Sequence, residues 1–118
     1  MAGLTTHVLD TASGRPADGV RVELFTIDND TPARLLATAT TDADGRTDGP
    51  LIEPAAMAAG RYELIFHVGE YFAGRGYNLP EPSFLDRVPV RFAISDATQH
   101  YHVPLLVTPW SYTTYRGS

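Results

Sequence analysis

His100-Tyr101-His102-Val103-Pro104-Leu105-Leu106-Val107 places large apolar side chains at every second position. On an extended chain Tyr101, Val103, Leu105 and Val107 share one side, and His100, His102, Pro104 and Leu106 share the other. A period of two reads as a strand with one face on a core and one toward solvent or a partner. The same alternation recurs outward from this stretch. Val20, Val22 and Leu24 alternate with Arg21 and Glu23, and Tyr62, Leu64 and Phe66 with Arg61 and Glu63. Val88, Val90, Phe92 and Ile94 alternate with Arg87 and Arg91. Residues 4–10, 35–41 and 111–116 are weaker strand candidates, rich in Thr and Tyr.

Turn chemistry separates these runs: Ser13-Gly14-Arg15-Pro16, Asp28-Asn29-Asp30, Asp44-Gly45, Asp48-Gly49-Pro50 and Pro80-Glu81-Pro82. Seven or eight short strands punctuated in this way predict an all-β fold, a Greek-key β-sandwich, with a barrel as the alternative. Helix is scarce. Residues 54–59 have room for one turn, and residues 68–75 for one short helix of two turns ending at the Gly74 and Gly76 pair. Pro89 and Pro104 fall inside strands, which predicts an edge position or a ladder position where no amide is needed. Exposed edges are commonly covered by another subunit, so the chain is expected to oligomerise.

The 118 residues are expected to form one domain spanning 1–118, with 43% hydrophobic and 19% charged residues, a balance typical of a folded protein. No apolar run approaches the ~20 residues of a membrane span, and the start lacks the charged-then-apolar layout of a secretion signal. No membrane association and a cytoplasmic location are therefore expected. The absence of Cys removes disulfides, zinc ribbons and thiol nucleophiles. A net charge of -5 argues against nucleic acid as a partner, because that footprint is basic. All nine basic residues are Arg, so Schiff-base chemistry through a lysine is excluded.

Histidine is the side chain most easily poised near neutral pH. His100 and His102 point away from the core side of their strand, as a solvated pair, two metal ligands or an acid–base pair. A metal is the poorest fit, because no Cys or nearby carboxylate completes a ligand set. His7 shares a face with Thr5 and Leu9, whereas His67 sits at a strand boundary. Residues 42–49 have the acidic character of a calcium loop but neither its spacing nor its terminal Glu. They are a turn that leaves Arg46 beside a strand start. The ending Trp110-Ser111-Tyr112-Thr113-Thr114-Tyr115-Arg116-Gly117-Ser118 carries three aromatic rings and a cation up to the last residue. It reads as a tail tucked into a site or as an edge strand.

Three segments together carry a family resemblance. Leu4-Thr5-Thr6-His7-Val8-Leu9-Asp10 with Gly14-Arg15-Pro16-Ala17 resembles the opening of the transthyretin-like proteins. Asp44-Gly45-Arg46-Thr47 is similar to their middle motif, and His100-Tyr101-His102-Val103-Pro104-Leu105-Leu106 leading to Tyr115-Arg116-Gly117-Ser118 to their C-terminal block. The resemblance runs collinearly along nearly the whole chain. The Tyr-Arg-Gly-Ser ending makes it closer to the branch that hydrolyses 5-hydroxyisourate in urate catabolism than to the hormone carriers.

The resemblance implies a transthyretin-like sandwich and the opening of 5-hydroxyisourate to 2-oxo-4-hydroxy-4-carboxy-5-ureidoimidazoline. It implies His7, Arg46, His102 and Ser118 as catalytic residues, with His7, Arg46 and Tyr115 binding the substrate. It also implies a homotetramer with sites at the dimer–dimer interface, and neither metal nor organic cofactor. His100 belongs to the same block without an assigned role. Two other readings fit the same strands: a binding module carrying a small apolar ligand, and a structural sandwich without a site.

Overall fold

Alternation resolves into eight strands in the computed structural model, which describes residues 3–117. They are β1 (Gly3–Asp10), β2 (Arg15–Pro16), β3 (Arg21–Asp28), β4 (Thr31–Thr40), β5 (Gly60–His67), β6 (Arg87–Ile94), β7 (His100–Val107) and β8 (Tyr112–Thr114). One sheet has the order β2-β1-β7-β8 and the other β4-β3-β5-β6. The pairings are antiparallel except that of β1 with β7, which run parallel. The two inner faces meet in a shared core, which makes the fold the expected β-sandwich. Val22, Leu24, Leu64 and Phe66 from one sheet and Leu4, Val8 and Leu105 from the other are fully buried. Each such side chain contributes about 1.5–3 kcal/mol by leaving water.

The helical expectations are met in shortened form. Residues 54–56 make a single 3-10 turn, and α1 spans Val68–Ala73 with Val68, Tyr71 and Phe72 buried. Two strands differ in length from the sequence reading. The strand expected over 35–41 begins at Thr31, because Asn29 (φ 51°) and Asp30 (φ 62°) form a tight left-handed turn. Such a two-residue turn lets β3 pair directly into β4. The strand expected over 111–116 contracts to Tyr112–Thr114.

The prolines show why. Pro89 lies on the edge strand β6. Pro104 lies in β7, inside its sheet, and the β8 ladder breaks beside it. The last regular pair is Leu105–Thr114, and pairing resumes as an isolated bridge between His102 and Gly117. The Pro104 carbonyl accepts instead from the Thr114 hydroxyl at 2.8 Å.

Candidate active site

The parallel pairing of β1 with β7 builds the site. Gly3 lies opposite His100, Thr5 opposite His102 and His7 opposite Pro104. The buried alternates Leu4, Thr6, Val8 and Asp10 hold β1 to the core. Thr5 and His7 are therefore turned onto the outer face, together with half-buried His100 and His102.

Arg46 reaches this face through its own loop. Asp42 Oδ1 accepts the backbone amides of Asp44 (2.9 Å) and Arg46 (3.2 Å). The Val8 amide donates to the Gly45 carbonyl at 2.8 Å, and Arg46 forms an isolated bridge with His7. The acidic turn thus spends a carboxylate on its own shape. Gly45 at φ +75° lets the loop pass this close to β1.

Hydrogen bonds assign protons in part. The His7 Nε2 lies 2.8 Å from the Asp44 carbonyl oxygen. A carbonyl only accepts, so Nε2 carries the hydrogen, and in the neutral ring Nδ1 holds the free lone pair. His102 Nδ1 lies 2.8 Å from the Thr5 hydroxyl, which leaves His102 Nε2 as the outward nitrogen. Burial, reinforced by the charge of Arg46 and then by His7 and His100, pushes the His102 imidazole below its usual pKa of 6.5. His102 is therefore neutral at pH 7 and able to take a proton.

The C-terminal tail returns to the same place. The Gly117 amide donates to the His102 carbonyl at 2.8 Å. The Arg116 guanidinium stacks on the Tyr101 ring at 4.1 Å. It also donates to Gln99 Oε1 (3.1 Å) and to the His100 carbonyl (3.0 Å). Arg116 is thus the anchor of the tail, a role the sequence reading left unassigned.

Among the residues singled out from sequence, the structure gathers His7, Arg46 and His102 on one face. Tyr115 follows β8, is 57% exposed and lines a shallow groove with Phe92 and Val103. Ser118 lies outside the described residues. His67 belongs to the other sheet, buried and bonded to Glu23 at 2.6 Å. The structure adds Thr5, whose hydroxyl lies against both His100 and His102. Its signal was the shared face of Thr5 and His7, which is silent about the strand beside it.

The site is open. Two roomy clefts of about 630 and 580 Å³ lie elsewhere, and His7, Arg46 and His102 line neither. Among the described residues, no group of three His, Asp or Glu has the arrangement of a metal site, and no helix is long and apolar enough to cross a membrane.

Comparison with known proteins gives consistent matches. The family model described as HIUase/Transthyretin family matches residues 4–117. The protein named 5-hydroxyisourate hydrolase 2 from Rhizobium meliloti (strain 1021) is 56% identical over 98% of this chain and 95% of its own length. The solved 5-hydroxyisourate hydrolase of Klebsiella pneumoniae superposes with a TM-score of 0.81 at 36% identity, covering both chains in full. A solved (S)-allantoin synthase superposes with a TM-score of 0.91 at 44% identity over 99% of this chain. The present chain spans less than half (44%) of that protein.

Proposed function

The chain belongs to the HIUase/Transthyretin family, and on that footing we propose that it is a hydrolase acting on 5-hydroxyisourate in urate catabolism. The observation that carries this reading is the convergence of His7, Arg46 and His102 on one sheet face, with His102 held neutral. The reaction is lactam hydrolysis. Water attacks a carbonyl of the six-membered ring, the ring C–N bond breaks, and the product is 2-oxo-4-hydroxy-4-carboxy-5-ureidoimidazoline.

Such a reaction needs a base for water, a cation for the oxyanion and an acid for the departing nitrogen. His7 and His102 supply the proton transfers, an effect of typically ~10²- to 10⁴-fold. Arg46 takes up the charge that develops on the carbonyl oxygen, worth ~3–4 kcal/mol if it matches an oxyanion-hole donor. Tyr115 and Ser118 position the substrate and complete the catalytic set. The open face is closed in this reading by other copies of the chain, each one domain over residues 1–118. They form a cytoplasmic homotetramer whose sites lie at the dimer–dimer interface.

The test generates 5-hydroxyisourate in situ with urate oxidase and follows its near-ultraviolet decay with and without the protein. Acceleration over spontaneous decay, lost in His102→Asn, is the expected result. Deletion of residues 115–118 is expected to abolish it as well. No acceleration by the folded protein overturns the reading in favour of a binding module.

A further inference from the structure

One hydroxyl on β1 touches two histidines of β7. Thr5 Oγ1 lies 2.8 Å from His102 Nδ1 and 3.1 Å from His100 Nε2. A hydroxyl owns a single proton, so it donates to one ring and accepts from the other whenever both bonds are made with neutral rings. The two protons of this chain shift together. When Thr5 donates to His100, His102 bears its hydrogen on Nδ1 and presents a bare Nε2 outward, as a base. When Thr5 donates to His102, the outward Nε2 carries the hydrogen, as an acid.

We propose that Thr5 and His100 form a proton relay that switches His102 between base and acid within one turnover. The inference rests on the hydrolase reading above. Thr5 and His100 act through His102, so they are positioning residues.

Water gives a proton to His102 Nε2 as its oxygen bonds to the ring carbonyl carbon. The His102 Nδ1 proton passes to Thr5 Oγ1, and the Thr5 proton passes to His100 Nε2. His102 is then neutral with hydrogen on Nε2, His100 is an imidazolium, and the negative charge is on the oxyanion. On collapse the C–N bond breaks and its nitrogen takes the Nε2 hydrogen of His102. The relay runs back from His100 through Thr5 to His102 Nδ1. The net change is addition of one water across the C–N bond.

The register gives this transfer a purpose. Arg46 bridges β1 at His7, level with Pro104, so His102 is one side-chain step away along β7 and His100 two. Two residues of strand are about 6.6 Å. The relay therefore moves positive charge from His102, where the charge of Arg46 is felt, to the ring one side-chain step farther from the Arg46 backbone. Burial disfavours charge on His102 most, followed by the charges of Arg46, His7 and His100. Arg116 donates to the His100 carbonyl at 3.0 Å, which fixes that residue's backbone and also sets a second cation beside it. The His100 imidazolium is therefore short-lived and returns its proton on collapse.

The test compares wild type, Thr5→Val, Thr5→Ser and His100→Gln in the urate oxidase-coupled assay, with rates also taken in H2O/D2O mixtures. Valine keeps the branched shape and suits a strand, whereas glutamine fills the site but transfers no ring proton. Loss of a general acid–base path predicts a fall of about 10²-fold in kcat for Thr5→Val and His100→Gln, with Thr5→Ser restored to within about threefold of wild type. Rate against deuterium fraction is expected to curve in wild type, where several protons move, and to straighten in both deficient variants. The ¹⁵N shifts of His102 report its tautomer without turnover, and are expected to change in Thr5→Val and not in Thr5→Ser. Wild-type kcat with an unchanged isotope response in Thr5→Val or in His100→Gln overturns the relay while leaving the hydrolase intact. An inactive wild type overturns both.

Discussion

The Gly117 amide bonds the His102 carbonyl at 2.8 Å, and a Cβ added to Gly117 would lie 2.6 Å from His102 Cδ2. No real side chain tolerates that approach, so Gly117→Ala must displace either the tail or the imidazole. A displacement of about 1 Å at a reacting group costs on the order of 10²-fold in rate. Gly117 itself lies outside the buried core, whose residues come mainly from β1, β3, β5, β6, β7 and α1. Gly117→Ala is expected to lose activity in the coupled assay with little change in thermal midpoint.

Arg46 has two separable effects, and one substitution reads both. Arg46→Met removes the cation that faces the developing oxyanion, with an expected loss of ~10²- to 10³-fold in kcat. It also removes a charge that holds His102 below the usual histidine pKa. The His102 midpoint, followed by NMR titration, is expected to rise toward 6.5 in the variant. A rate loss without that rise would detach Arg46 from His102.

The pH dependence follows from the same depressed group. His102 must be neutral to accept a proton, so the acid limb of the rate profile is expected below pH 6.5. The sign for stability is the same. Below pH 6.5 the unfolded chain protonates this ring before the folded chain does, so the unfolded state binds more protons. The contribution of His102 to stability is present above the unfolded pKa and is lost as pH falls through the folded one. Chemical denaturation of wild type and His102→Asn across pH 5–7 checks this, with a weaker pH dependence expected in the variant.

Most of the fold was legible because burial on one face forces a period of two, as in Tyr101, Val103, Leu105 and Val107. Strand lengths were less legible. The reach of β4 back to Thr31 depends on the left-handed pair Asn29 and Asp30, and the shortness of β8 on Pro104 in the neighbouring strand. The faces bearing His7 and His102 were also legible, since each follows from its own strand. Their meeting was not, because it depends on β1 lying parallel to β7, across about ninety residues of chain. Thr5 carries no sign in sequence that it touches two histidines. Arg116 reads in sequence only as a cation of the tail, and its seat on the Tyr101 ring depends on the fold.

Gly45 joins the fold to the site and gives a test of what a glycine is for. It sits at φ +75°, and a Cβ there would press on the Val8 carbonyl oxygen and lie 3.2 Å from His7 Cδ2. Its own carbonyl accepts the Val8 amide, and the preceding carbonyl, that of Asp44, orients His7. Gly45→Ala is expected to cost about 1–3 kcal/mol in denaturant unfolding from the left-handed backbone, with crowding added. Activity should fall too, because the loop that holds His7 and presents Arg46 must move. Gly45→Asn separates the causes. Asparagine tolerates positive φ, yet its Cβ meets the same carbonyl. Both variants are expected to lose stability and activity, since the closest obstacle is backbone with no rotamer to yield, and asparagine is spared only the dihedral part of the cost. Recovery of both stability and rate in the asparagine variant would instead make the dihedral, not the approach to Val8, the reason for glycine.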